Sequence, residues 1–274
     1  MKIIHLTDTH FVPKGKLLYG HDPQSNLAEA IKDINLHHQD SELAVITGDL
    51  THWGEREAFE NLRAELTKLL IPWKLIVGNH DNRDVFLDIF PEQASDPTGF
   101  IQSQIETEVG NFVFLDTTLE GTHSGHYCKH RQLWLQKTLE KSSRPIFLFM
   151  HHPPFDIGIR GSDRIGLQQK EEFRAIIWPH RHKIRHLFFG HIHRPLAGSW
   201  LAIPTSSIRG MNHQVWFDMN AEQLHGSFEP PAYAVVLIND DSVVVHSHDF
   251  MDPSQKFLLS DSPWNDWARA HNHP

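Results

Sequence analysis

The chain has 274 residues, a formal charge of −9, 23 histidines and one cysteine, Cys128. That length buries a full core, as one large α/β domain or two, and the acidic balance argues against a duplex nucleic acid partner, which calls for a basic face. A lone cysteine excludes an intrachain disulfide, no run nears the roughly 18 apolar residues of a membrane span, and KIIHL opens without a secretory signal pattern, so a cytoplasmic protein with no membrane partner is expected.

KIIHLT (2–7) reads as a strand, followed by a Gly- and Pro-punctuated loop (12–24). SNLAEAIKDINLHH (25–38) reads as a helix, with Leu27, Ile31 and Ile34 on one face and Ser25 as its cap. LAVIT (43–47) is a short buried strand. EREAFENLRAELTKLL (55–70) puts Phe59, Leu62, Leu66, Leu69 and Leu70 on one face of a helix stopped by Pro72. WKLIV (73–77) is a strand and RDVFLDIF (83–90) a short helix. NFVFLDT (111–117) and PIFLFM (145–150) are strands around a helix over 130–142, and LQQKEEFRAIIW (167–178) is a helix before the strand HLFFG (186–190). Residues 194–232 show no sustained period and read as an irregular insertion. AYAVVLI (232–238) and SVVVHSH (242–248) read as a hairpin, and the tail with PWNDW (263–267) carries no assignment. Strands alternating with helices predict helices layered on a sheet with parallel neighbours.

Five polar blocks close these strands: TDTH (7–10), TGDL (47–50), GNHD (78–81), HHPP (151–154) and GHIH (190–193). They carry Asp8, His10, Asp49, Asn79, His151, His191 and His193, with His80 beside Asn79. Taken singly, each has a plain explanation: Asp49 as a helix cap, GNHD as a turn, HHPP as a proline-ended strand. Together, all at the carboxyl ends of strands where α/β sheets place ligands, they suit a dinuclear hydrolase. Mixed oxygen and imidazole donors fit Fe, Mn, Zn or Co.

The blocks D8-T-H10, G48-D49, G78-N79-H80-D81, H151 and G190-H191-I-H193 resemble the calcineurin-like metallophosphoesterase superfamily over roughly residues 1–195. That resemblance implies an α/β fold, a four-layer αββα sandwich of two mixed sheets flanked by helices. It also implies two divalent metal ions per subunit. Asp8, His10, Asp49 and His193 would hold one; Asp49, Asn79, His151 and His191 the other, with Asp49 bridging. A metal-bridging hydroxide would attack phosphorus, Asn79 and His80 would contact the phosphate, and His80 would assist the leaving group.

TGDLTHWG (47–54) and GNHD depart from protein Ser/Thr phosphatases, and the acidic chain suits neither a DNA-repair nuclease nor a membrane-docked pyrophosphohydrolase. HLTDTHFVPKGKLLYG (5–20), HHPPF and GHIHR resemble the class III cyclic-nucleotide phosphodiesterases and their bacterial glycerophosphodiesterase relatives. The expected substrate is a small phosphodiester, a cyclic nucleotide or a glycerophosphodiester. The alternative is a phosphomonoesterase or nuclease using the same site. The resemblance further implies a catalytic core over 1–196, a cap or dimerisation insertion over 197–232 and a closing hairpin and tail over 233–274, in a homodimer or larger homo-oligomer. GMNHQV (210–215) makes His213 a candidate substrate contact, or else a cap histidine with no such role. Tyr19, His21 and His123 lie on loops that could line the pocket, and read rather as solvated.

Overall fold

A computed structural model describes residues 1–93 and 95–259, so the PWNDW stretch lies outside the described residues. The first half of the chain runs β1 (Lys2–Leu6), α1 (Pro23–His37), β2 (Leu43–Thr47), α2 (Arg56–Leu66), β3 (Trp73–Ile76) and α3 (Arg83–Ile89). Then come β4 (Ser103–Thr107), β5 (Gly110–Phe114), α4 (Lys129–Lys141), β6 (Ile146–Met150), α5 (Arg160–Asp163), α6 (Lys170–Ile177), a 3-10 turn (Trp178–Lys183) and β7 (Ile184–Phe189). The last strands are β8 (Leu196–Trp200), β9 (Ile203–Ser207), β10 (Gln214–Val215), β11 (Gly226–Ser227), β12 (Tyr233–Ile238) and β13 (Val243–His248).

Among the described residues two large sheets form, in the orders β13-β12-β1-β2-β3 and β4-β5-β6-β7-β9-β8, and β10 and β11 pair as a separate two-stranded ribbon. Parallel pairing joins β1, β2 and β3 in the first and β5, β6, β7 and β9 in the second, with antiparallel strands at the edges. Both sheets are therefore mixed. The central strands are apolar on both faces because both faces are covered. One face of the first sheet packs on α1–α3 through Leu6, Ile46, Leu75, Leu27, Phe59 and Phe86. One face of the second packs on α4 and α6 through Leu148, Leu187, Leu135 and Phe173. Between the sheets lie Ile3, Val45, Ile76, Phe112, Phe149 and Phe188. This is the helix–sheet–sheet–helix sandwich expected.

Several details differ from the sequence reading. The cap of α1 is Asp22, which accepts from the Gln24 amide at 3.1 Å, with Pro23 at the helix start; Ser25 donates to Asp22 instead of capping. The second helix stops at Leu66, and residues after it tighten into a turn that leaves Leu70 exposed and buries Ile71. Strands β8 and β9 fall inside the stretch read as irregular, and β9 pairs with β7. Strand β4 was not foreseen. Among the described residues, no helix is long and apolar enough to cross a membrane.

Candidate metal centre

Each block begins where a parallel strand ends. Asp8 and His10 follow β1, Asp49 follows β2, and Asn79 and His80 follow β3; His151 follows β6, and His191 and His193 follow β7. The first three strands belong to one sheet and the last two to the other, so the blocks meet where the sheets' carboxyl ends converge. Backbone bonds tie neighbouring loops: Asp8 N–H donates to Gly48 O, His10 N–H to Asp49 O and Gly190 N–H to His151 O. His191 N–H reaches across to Asp8 Oδ1 at 3.2 Å.

The turns are tight. Asp8, His10, Asp49, His191 and His193 all have φ between 46° and 69°, a left-handed region that costs a non-glycine residue about 1–2 kcal/mol. Asp and His tolerate it better than most residues. Such strain persists only where the surroundings hold it, and it aims these side chains at one point. Gly78 is forced by contact: a Cβ there would sit 2.2 Å from Asp49 Oδ1. Asp81 clamps the same loops. Its carboxylate accepts from the amides of Leu50, Thr51 and Gly78 at 3.0, 2.8 and 2.9 Å and from the Thr51 hydroxyl. Burial, then the neighbouring Asp49 charge, push the Asp81 carboxyl up to about 6.

The donors form two adjoining groups. Asp8, His10, Asp49 and His193 bring one ligand atom each within 4.8 Å of one another. His10 Nε2 and His193 Nε2 are 3.1 Å apart, and Asp8 Oδ1 lies 3.3 Å from His193 Nε2. Two nitrogens at about 2.1 Å from one cation and roughly at right angles lie about 3 Å apart, so this spacing fits a shared ion. In the second group His151 Nε2 lies 3.3 Å from Asp49 Oδ1 and 3.2 Å from Asn79 Oδ1. The His191 ring sits 5.1 Å from that of His151, and its Nε2 is buried without a hydrogen-bond partner among the described residues. A buried ring nitrogen left unpartnered beside these donors is suited to a cation.

The tautomers suit ligation. His151 Nδ1–H donates to Thr47 O and His193 Nδ1–H to His213 O, both at 2.7 Å, so that each ring, once neutral, offers its Nε2 lone pair to the cluster. Burial opposes charge on these rings. For His151, the Asp49 and Asp8 carboxylates and the Thr47 carbonyl outweigh burial and hold its pKa up at about 9. Burial drives His10 and His191 down, the latter to about 3, so both are neutral.

A cavity of about 410 Å³ opens over both groups, and among the described residues lining it none is Lys or Arg. His80, Asn79 and His213 line it. The His213 ring packs on His193 at 4.4 Å and on His10 at 4.8 Å, so segment 210–215 does lie over the donors. Tyr19, His21 and His123 also line the cavity, while Tyr19 and His123 remain solvent-exposed. Tyr19 sits at a turn bridged by Leu18 and His21 and meets the rings of His213 and His52 edge-on. His123 Nδ1 is 3.1 Å from Asn79 Nδ2. His52, which the sequence reading passed over, also lines the cavity and stacks on His80 at 4.6 Å and 19°. Its one signal was its place three residues after Asp49.

A family model for calcineurin-like phosphoesterases matches residues 1–195. The chain belongs to the calcineurin-like phosphoesterase family. Within this family it is 43% identical over 267 residues to a probable cyclic nucleotide phosphodiesterase of Rhodopseudomonas palustris, covering 96% of this chain and 97% of that protein. It is 30% identical to a probable glycerophosphodiester phosphodiesterase of Arcobacter nitrofigilis, covering 85% and 86%. The fold also resembles the solved purple acid phosphatase of yellow lupin, with a TM-score of 0.66 at 10% identity, over 92% of this chain and 52% of that one.

Proposed function

We propose that this calcineurin-like phosphoesterase is a dinuclear-metal-dependent phosphodiesterase that hydrolyses small phosphodiesters, cyclic nucleotides or glycerophosphodiesters. One observation carries the reading: the two oxygens of Asp49 are divided between the two donor groups, Oδ1 toward His151 and Oδ2 toward His10. Asp49 would then be shared between two cations, with Asp8, His10 and His193 as the residues that would hold one and Asn79, His151 and His191 those that would hold the other. The names of the two relatives support the choice of a diester.

Two divalent cations supply, when bound, Lewis acidity toward phosphoryl oxygen and toward water. The donor set admits Fe, Mn, Zn or Co. The rest of the chemistry falls to side chains. Neutral Asn79 and the imidazoles leave the centre net positive, which draws an anion. A cavity with no Lys or Arg among its described lining residues suits the single charge of a diester better than a doubly charged monoester. His80 Nδ1–H donates to His52 O at 2.7 Å, which orients the ring. Its Nε2 would carry the proton given to the leaving alcohol oxygen as the P–O bond breaks. His213 forms the roof and contacts the substrate.

Trp216, Phe217, Met219 and Phe228 are exposed on the segment after β9, which supports a contact between copies there, as in a homodimer or larger homo-oligomer. The single cysteine fits the reducing cytoplasm. A substrate panel on metal-loaded protein tests the reading: bis-p-nitrophenyl phosphate, 3′,5′-cyclic AMP, 2′,3′-cyclic AMP, glycerophosphocholine and p-nitrophenyl phosphate. Diester turnover should exceed monoester turnover; the reverse order overturns the assignment.

A further inference from the structure

His52 touches both halves of the machinery. It is 7% exposed and lines the cavity. Its Nδ1 lies 3.1 Å from His10 Nδ1, its ring stacks on His80, and its carbonyl accepts from His80 Nδ1.

The contact between His10 and His52 joins two ring nitrogens, so one must donate and the other accept. His10 Nε2 points into the donor cluster, 3.1 Å from His193 Nε2 and 3.6 Å from Asp49 Oδ2. A neutral imidazole that offers its Nε2 lone pair to a cation carries its proton on Nδ1. His10 Nδ1–H therefore donates to His52 Nδ1, and the His52 proton resides on Nε2, at the far edge of the ring. His151 and His193 behave differently: their Nδ1–H groups end on backbone carbonyls, which pass nothing on.

We propose that His52 is a substrate-binding residue, an Nε2–H donor to an oxygen of the phosphodiester, whose tautomer is set by the cation held at His10. The inference rests on the reading of the cluster as a metal centre. Without a cation, either ring donates and the donor toward the cavity is not fixed. With one, the chain from cation through His10 to His52 presents a donor beside His80. The same bond makes His52 the partner that orients His10, so it acts on metal affinity as well as on the substrate.

The test uses His52→Phe, His52→Ala and His52→Asn in the full chain, with Mn²⁺ affinity from competition with a chromogenic chelator and KM for bis-p-nitrophenyl phosphate at saturating Mn²⁺. The Phe variant keeps a ring on His80 but has neither acceptor nor donor. It should bind one Mn²⁺ about 10–100-fold more weakly, with KM raised about tenfold. The Ala variant should show the same two losses, and decides the matter if the Phe variant does not fold. Asn retains an acceptor and a donor and should recover most of both. Wild-type affinity and KM in the Phe or Ala variant overturn the role of His52. If the wild-type protein itself takes up no Mn²⁺, the metal-centre reading fails instead.

Discussion

Asp49 Oδ1 lies 3.3 Å from His151 Nε2, and the pair is buried. His151 is held at about 9, against an ordinary value of 6.5, because Asp49, Asp8 and the Thr47 carbonyl outweigh the effect of burial. Its contribution to metal-free stability is therefore complete below pH 6.5 and is lost as pH rises to about 9. Ligation needs the same lone pair that the proton occupies, so metal uptake must expel that proton and strengthen over the same range. Calorimetric titration at pH 7 in buffers of different ionisation enthalpy should show proton release on metal binding. Uptake with no release would contradict the pairing.

Gly78 has no room for a side chain, since a Cβ would meet Asp49 Oδ1 at 2.2 Å and Asp49 N at 2.3 Å. Gly78→Ala should cost about 3 kcal/mol of stability, by displacing the Asp49 turn. Chemical denaturation with metal analysis checks this; wild-type stability with full metal content would show that the turn yields freely.

Asp81 never reaches the cavity, yet it satisfies three buried amides. Asp81→Ala leaves them without an acceptor and should destabilise by about 3 kcal/mol or more. Asp81→Asn, which keeps one oxygen, should lose roughly half as much. Denaturation midpoints of the two variants test the order, and equal midpoints would count against the clamp.

His5 and His186 lie buried between the sheets, hydrogen-bonded to Thr47 Oγ1 at 2.9 Å and Ser206 Oγ at 2.8 Å. Burial, and for His5 also the neighbouring His186, lower them to about 3 and about 4. The unfolded chain takes up these protons first, so stability is complete above pH 6.5 and falls as pH drops toward 3. In excess chelator, His186→Phe should lower the acid-unfolding midpoint by about half a pH unit. An unchanged or raised midpoint would show that other groups govern acid unfolding.

The candidate metal centre was legible because each block is local: a strand, a tight turn and one or two candidate ligands within four residues. That Asp49 divides its oxygens between two groups was implied only by resemblance, since it depends on how two separate sheets converge. What stayed hidden had no apolar period to reveal it. Strand β9 buries Ile203, Thr205, Ser206 and Ser207, three of them small hydroxyls that look like loop, and β4 is an exposed edge strand. Ser25 and Asp22 are both good caps, and Pro23 decides between them by starting the helix earlier. Tyr19 reaches the cavity through a left-handed backbone turn, with φ of 52°, that its sequence does not announce. His52 is one histidine among 23, and its contacts with His10 and His80 in the fold distinguish it.

The central claim is that Asp49 joins two metal sites into one diesterase centre. Elemental analysis of the wild-type chain and of Asp49→Ala, paired with kcat/KM on bis-p-nitrophenyl phosphate, tests it most directly. Two ions per wild-type chain are expected. The variant should retain at most one, with kcat/KM reduced by about a thousandfold or more. Undiminished activity in Asp49→Ala, or two ions retained by it, would contradict the account.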